Sequence, residues 1–396
     1  MVVAVSPSAH RRQRANQIPT RNAFDGLRRR AFTPHRPDSA GDAVTLPDAT
    51  TLAAFGLLAG LQQVIPWGSG HIHASYKVQC RGRDYLMQRI NRTVFHHPRL
   101  VMENIARVAD HTRQRLQDEG MGDADIQRRT LTLVPTRYGR TAYRSKDGEW
   151  WRLYHFISGA NSVENSSSPE VLYHAGQVIG RFQSLLSDLP APPLHAVIPD
   201  FHHTPRRLKA LWQAQRKNMM GRAADVQKEL VYAANFSEQA GTLTRLLEQG
   251  HIPWRVTHND TKLNNVLFDD TSGEGLCLVD LDTVMPGSAL YDFGDAARSG
   301  VSTAAEDEPD LRKITVDRRK YSALLDGYLL SAADFLSPLE KELLSLAPWV
   351  LAFEQGVRFL TDYLNGDIYY KVSYPDHNRV RAQNQFALAN AFLTVR

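Results

Sequence analysis

Val256-Thr257-His258-Asn259-Asp260-Thr261-Lys262-Leu263-Asn264-Asn265-Val266-Leu267-Phe268, followed after a turn by Cys277-Leu278-Val279-Asp280-Leu281-Asp282, decides how this chain of 396 residues is read. Apolar runs flank a polar loop on both sides, a pattern that predicts strand, loop and strand. Asp260, Lys262 and Asn265 stand on the loop at relative spacings of two and five, and Asp280 closes a strand fifteen residues beyond Asn265. Phosphoryl transfer uses this set. A carboxylate orients the attacking hydroxyl and accepts its proton, and a cation neutralises the γ-phosphate. An amide with a second carboxylate coordinates the Mg²⁺ that bridges the phosphates. His258 can fix the loop through hydrogen bonds to backbone near Asp260. The alternative is a polar turn with an acidic patch behind it, built from ordinary turn residues. A turn does not explain why histidine, aspartate, lysine and asparagine coincide between two apolar strands with an Asp-x-Asp following.

Toward the N-terminus the pattern becomes periodic at Thr51, and a first helix is expected over Leu52 to Val64, before Pro66. Ser75 to Gln79 and Tyr85 to Ile90 flank Arg81-Gly82-Arg83-Asp84 and predict a β-hairpin. The loop before it, Trp67-Gly68-Ser69-Gly70-His71, offers two glycines where a backbone could approach a phosphate, or is only a tight connection. A helix after Pro98 carries Leu100, Met102, Glu103, Ile105 and Val108. Another hairpin is expected over Arg129 to Thr136 and Thr141 to Tyr143, then an apolar strand from Trp150 to Ile157 and a polar loop at Ser158 to Asn165. These residues predict a small β-rich lobe with one inserted helix. From Ser167-Ser168-Pro169-Glu170, which offers an N-cap, a first-turn proline and a capping-box glutamate, the chain becomes mainly helical. Leu172, Ala175, Ile179, Phe182 and Leu186 supply the buried stripe of that helix, and Ser337-Pro338-Leu339-Glu340 begins another.

Bulk properties exclude several classes. The chain is 42% apolar and 22% charged, ordinary for a globular protein. Its longest apolar runs, such as Leu346 to Phe353, fall short of the roughly 18 residues a membrane span needs. Cys80 and Cys277 show neither metal-type spacing nor a disulfide framework, which fits a reducing cytoplasm. The net charge of +5 belongs entirely to residues 1–45, which hold eight arginines and three aspartates. The rest of the chain is neutral and offers no broad surface for nucleic acid. The tail, residues 1–50, is expected to be a mobile extension outside the chemistry; an organelle-targeting leader and an upstream start are the alternatives. His96-His97 and His202-His203 are adjacent pairs that point to different faces, unsuited to sharing a metal, and are expected on the surface or in loops.

His-x-Asp-x-x-x-x-Asn with a following Asp-x-Asp resembles the aminoglycoside phosphotransferase and protein-kinase-like superfamily. Thr257 to Lys262, Asp280-Leu281-Asp282-Thr283-Val284-Met285-Pro286-Gly287 and Tyr291-Asp292-Phe293-Gly294-Asp295 further resemble the N-acetylhexosamine 1-kinases. So do Gly68-x-Gly70-His71-Ile72 and Arg358-Phe359-Leu360-x-Asp362-Tyr363-Leu364-x-Gly366-Asp367-Ile368-Tyr369. The resemblance spans about residues 52–385 and implies an α+β, bilobal kinase-like fold. Residues 51–158 would form the nucleotide-covering lobe and residues 159–396 a helical lobe holding the sugar; the oligomeric state stays open, with a monomer favoured.

Position by position, the resemblance implies that Asp260 deprotonates the anomeric hydroxyl and that Lys262 meets the transferred phosphate. Asn265 and Asp280 would carry Mg²⁺, with Asp282 a second-layer or second-metal carboxylate. Gly68, Gly70 and His71 would cover the phosphates of ATP, and Arg358 and Tyr369 would touch the sugar. Read from the residues alone, Arg358 could instead pair with Glu354 one turn earlier, and Tyr369 could be core. The hairpin strand departs from the protein-kinase pattern: Leu86-Met87-Gln88-Arg89-Ile90 puts Gln88 where a lysine is expected, or Arg89 if the register shifts by one. Glu103 could orient either. Ser299 stands where relatives carry phenylalanine against the sugar, which leaves the acceptor open. An N-acetylhexosamine, another small hydroxylated acceptor on the same machinery, and a catalytically silent binding module are the three readings.

Overall fold

The computed structural model describes residues 46–68, 72–165, 168–191 and 193–395. The arginine-rich segment through residue 45 and the site candidates Gly70 and His71 lie outside them. Asp48 caps the first described helix, α1 (Ala49–Ala54), by accepting the Thr51 N–H at 2.6 Å. The single helix expected to reach Val64 is not formed. Gly56 and Gly60 take φ values of 71° and 91°, which end the helix, and the chain continues as strand β1 (Leu61–Pro66). β2 (Ala74–Cys80) and β3 (Arg83–Ile90) make the expected hairpin. Its two-residue turn, Arg81 and Gly82, has φ of 52° and 71°, the paired positive values that match the twist of flanking strands.

Helix α2 (Pro98–Asp118) follows, then α3 (Asp123–Arg129). Asp123 and Asp125 in the first turn of α3 and Arg128 and Arg129 in its last complement the helix dipole, so Arg129 ends a helix instead of opening a strand. The hairpin expected beyond it reduces to a turn closed by Thr136 N–H on Arg140 O, at 2.8 Å. The flanking residues run instead along β5 (Trp150–His155), with Val134 N–H donating to Leu153 O and His155 N–H to Thr132 O; β4 is only Tyr143–Arg144. The antiparallel sheet has the order β1-β2-β3-β5-β4. Tyr76, Val78, Met87, Trp151 and Leu153 pack on one of its faces against Leu52 of α1 and Phe55 just after it.

The remainder is helical around two small sheets: β6 (Ala160–Asn161), α4 (Pro169–Leu185), α5 (Thr204–Lys217), α6 (Gln227–Asn235), α7 (Ser237–Ala240), α8 (Thr242–Glu248), β7 (Arg255–Thr257), β8 (Val266–Asp269), β9 (Gly275–Leu278), β10 (Met285–Gly287), α9 (Ala289–Gly300), α10 (Arg318–Ala332), α11 (Pro338–Leu343), α12 (Ala347–Asn365) and α13 (His377–Phe392). β8 lies between β6 and β9, and β7 pairs with β10. Ser168 caps α4 by accepting the Glu170 N–H, so Glu170 sits one position too early for the reciprocal box expected there. The predicted stripe of α4 is buried from Leu172 to Leu186. α4 crosses α10 so closely that a Cβ on Gly176 would stand 2.2 Å from Leu324 O, which reserves the position for glycine. α11 does carry the full box, Ser337 with Glu340, and Glu340 also receives Arg255 Nε at 2.8 Å, tying the helix to β7. This is the α+β, bilobal, kinase-like architecture: a small antiparallel-sheet part followed by a larger helical one. No helix among the described residues is long and apolar enough to cross a membrane.

Candidate active site

The loop after β7 is held from beneath. Asp292, fully buried in the first turn of α9, accepts the backbone N–H groups of His258 at 3.0 Å and Asn259 at 2.7 Å, and Gln183 Nε2 at 2.7 Å. His258 spends both ring nitrogens on backbone: Nε2 faces Val279 O at 2.9 Å and Nδ1 accepts the Asp260 N–H at 3.3 Å. Both ring nitrogens are thereby spent on holding the loop. Asn259 adopts φ 66°, a conformation asparagine tolerates, and donates from Nδ2 to Thr283 O. The outcome is a half-buried Asp260 whose Oδ2 lies 3.0 Å from Lys262 Nζ and 3.1 Å from Asn265 Nδ2. Burial works against the charge on Lys262, but Asp260, and then Asp280, hold its ammonium above the usual range. Asn265 Nδ2 also donates to Asp260 O at 2.8 Å, which turns the amide oxygen to the opposite side, free to serve a cation.

Asp280 follows β9 with φ 62°, an uncommon backbone for a non-glycine residue, and a short 3₁₀ turn (Leu281–Thr283) leads into β10. Burial, then the neighbouring Asp282 and Asp260, push the Asp280 carboxyl well above the ordinary range, and Arg152 pulls it back. Carboxylates crowded in this way are stabilised by a divalent cation, so the donor set of Asn265 Oδ1 and Asp280 fits Mg²⁺. Asp282 is differently placed. Both of its oxygens accept from Arg152, at 2.6 Å each, and His73 Nε2 stands 3.2 Å from Oδ1. His73, Asp280 and Asp282 bring one ligand-type atom each to within 4.8 Å of one another. Among the described residues, His73 is thus a histidine that faces the Asp-x-Asp.

On the sheet, Gln88 and not Arg89 lies on the face that carries Arg152 and looks toward Asp282. Gln88 Nε2 donates to Ser75 Oγ at 2.9 Å and its Oε1 accepts Arg152 Nε at 3.0 Å, whereas Arg89 approaches Glu149. Glu103 does not orient Gln88; it pairs with Arg99 and His195 at the surface. Its neighbour Asn104 is buried and donates to Val284 O at 2.9 Å and to His195 O at 2.8 Å, pinning the helix to the Asp-x-Asp segment. Gly68 is exposed with φ 83°.

A family model described as "Phosphotransferase enzyme family" matches residues 63–325, which include the sheet, the loop and the Asp-x-Asp. The chain belongs to this family. Solved structures give the same fold at low identity. Spectinomycin phosphotransferase, in a complex with ADP and spectinomycin, is 13% identical with a TM-score of 0.51, over 84% of this chain and 92% of its own. An aminoglycoside phosphotransferase from Alicyclobacillus acidocaldarius is 12% identical with a TM-score of 0.51, over 91% and 98%. Choline kinase from Cryptosporidium parvum is 11% identical with a TM-score of 0.52, over 85% and 91%.

Beyond the loop, this phosphotransferase carries a second polar layer. His202, expected on the surface or in a loop, lies in a turn and is buried there. Its Nδ1 faces Glu354 Oε1 at 2.9 Å and its Nε2 faces Asn259 O at 3.0 Å, so the ring links α12 to the loop. The expectation holds for exposed His96 and His97, while His203 is half-buried beside Glu248. Thr204 takes the other Glu354 oxygen at 2.6 Å, so the helix pair between Glu354 and Arg358 is not made. Arg358 Nη1 instead donates to Gln355 Oε1, and the guanidinium lies over Phe201 and Tyr370, 5.3 and 5.7 Å from their centroids. Burial and then the Arg358 charge pull Arg207 below its usual range, which puts the two cations in each other's field. Tyr369 is 62% exposed and so is not core. The turn that presents it wraps Asp362, whose carboxylate accepts the N–H groups of Ile368, Tyr369 and Tyr370 at 2.9–3.0 Å. Ser299 back-bonds to Asp295 O within α9.

Proposed function

We propose that the protein transfers the γ-phosphoryl group of ATP to the anomeric hydroxyl of an N-acetylhexosamine, giving the sugar 1-phosphate. The observation that carries the transfer is the cluster on one loop in which Lys262 Nζ and Asn265 Nδ2 each lie within 3.1 Å of Asp260 Oδ2, with the crowded Asp280 carboxyl on the following turn. Asp260 orients the acceptor hydroxyl and takes its proton as oxygen attacks phosphorus and ADP leaves, and Lys262 balances charge on the transferred group. Asn265 and Asp280 would hold Mg²⁺, which neutralises charge on the nucleotide phosphates. Asp282, occupied by Arg152, supports that site from behind. Residues 51–158 serve the nucleotide and residues 159–396 the acceptor.

Two features favour a neutral acceptor over the cationic ones. Arg207 and Arg358 act on one another, and the nearby Glu354 is already used by His202 and Thr204. A cationic acceptor needs carboxylates or an aromatic cage free to receive it. The second reading, another hydroxylated acceptor on the same machinery, draws its support from Ser299, too short to stack on a sugar ring. The test is ATP consumption across N-acetylglucosamine, N-acetylgalactosamine, glucose, galactose, choline and kanamycin, with phosphorus NMR to locate the phosphate. A hexosamine 1-phosphate supports the proposal. Turnover of another acceptor alone keeps the kinase and rejects the sugar, and no turnover of any rejects both.

A further inference from the structure

A cation beside the nucleotide phosphates is a general need of kinases, and in protein kinases the second hairpin strand supplies it as a lysine paired with the following helix. Here that strand offers Gln88, and the helix carboxylate, Glu103, is turned to Arg99 and His195. The nearest buried cation comes from the next strand of the sheet. Arg152 is directly opposite Gln88 in the β3–β5 register and is 1% exposed. Its Nε donates to Gln88 Oε1, and its two terminal nitrogens make a fork on the Asp282 carboxylate. Burial opposes its charge, but Asp282, joined by Tyr154 and Asp280, holds the guanidinium above its usual range.

This pair joins the sheet to the turn that bears Asp280. Asp280 itself occupies a left-handed backbone conformation that must be held by its surroundings, and the residue two positions on is gripped in a planar, two-point contact. Asn104 holds the far side of the same segment through Val284 O. Arg152 is also the cation that offsets the repulsion among Asp280, Asp282 and Asp260. A lysine could supply the charge but not the fork.

We propose that Arg152 is a positioning residue that sets the Asp280 turn for the magnesium–nucleotide complex, acting through Asp282 from inside the sheet. The proposal rests on the nucleotide reading above. Its test measures binding of ADP, with Mg²⁺ and with EDTA, by calorimetry, alongside thermal melting and the separate KM values for ATP and acceptor. Arg152→Lys is expected to raise the Kd for ADP with Mg²⁺ by about tenfold or more, to leave the Kd in EDTA within about twofold, and to leave the acceptor KM unchanged. Because Arg152→Met alone strands a buried carboxylate, the second variant is Arg152→Met with Asp282→Asn, which removes both charges at similar volume. It is expected to melt close to wild type yet keep the weakened Mg²⁺-dependent binding. Variants that only melt earlier, or a double variant that regains Mg²⁺-dependent affinity, would overturn the positioning role. Wild-type protein that binds no ADP in either condition would overturn the nucleotide reading and this proposal together.

Discussion

The loop after β7 and the proposed acceptor side of this phosphotransferase are built on different plans. In the loop, residues 257–265, the backbone is held at every turn by buried groups close in sequence or on the adjoining helix: Asp292, His258, Asn259 and Thr283. The proposed acceptor side draws on Phe201 to Arg207, on α9, and on α12 with its following turn; there Arg358 rests on aromatic rings and the Gln355 amide and Arg207 on the Phe201 carbonyl, while Arg298 pairs with the Asp295 carboxylate. A rigid loop fixes the chemistry to be done. A surface gathered from distant segments lets the acceptor change without disturbing that chemistry.

The largest effect should come from breaking the loop's reacting group. Asp260→Asn removes the proton acceptor and keeps the shape, so turnover is expected to fall about 10² to 10⁴-fold while melting and nucleotide Kd stay near wild type. Single-turnover kinetics with nucleotide-binding titrations check it; turnover within a few-fold of wild type refutes the assignment.

Next is the foundation of the loop. Asp292→Asn leaves one oxygen where two backbone N–H groups and Gln183 converge, and turns an amide donor toward donors. Hydrogen bonds to a charged acceptor contribute about 1.5–3 kcal/mol each, so a loss of about 2–4 kcal/mol of stability is expected, with turnover falling alongside it. Urea unfolding measures the first and steady-state kinetics the second. An unaltered midpoint would show that the loop is held by something else.

A smaller and more selective effect belongs to the acceptor side. Arg358→Ala should raise the acceptor KM about tenfold, the loss of one cation–π-supported polar contact, and leave the ATP KM within about twofold. Equal changes in both KM values would mean that the two regions are coupled through His202, which bridges α12 and Asn259.

Much of this contrast was legible in the sequence, for a physical reason. The loop's groups act through short spacings, so Asp260, Lys262 and Asn265 could be read from their intervals, and alternating strands and capped helices marked the two lobes. Residues that act across the fold were missed. Arg152 stands between Trp151 and Leu153 in an apolar strand, and Glu354 in the apolar run of α12; a charge embedded in a buried pattern is the signal that would have found both. His202 was dismissed because adjacent histidines face apart, which is correct and is the reason one of them is buried. The hairpin expected at Arg129 failed on helix-dipole chemistry, and the helix expected to Val64 failed on two glycines with positive φ.

The smallest effect separates stability from chemistry behind both regions. Arg128 at the end of α3 reaches Asp269 at 2.7 Å and Gly159 O at 2.8 Å, tying the helix to the far end of β8, away from Asp260. Backbone N–H from Ser272, then Arg128, bring the Asp269 carboxyl down to about 2 from 3.8. A carboxyl lowered in the folded state adds stability that is present in full above the unfolded value, near 3.8, and is lost as pH falls through about 2. Since Arg128 is partly exposed, solvent screening limits the contribution to about 1 kcal/mol. Asp269→Asn should therefore cost about 1 kcal/mol in urea unfolding at pH 7, with the gap to wild type closing between pH 4 and pH 2. Mg²⁺ dependence and both KM values should not move. A gap that persists below pH 2.5 would mean that Asp269 acts through its turn geometry and not through its charge.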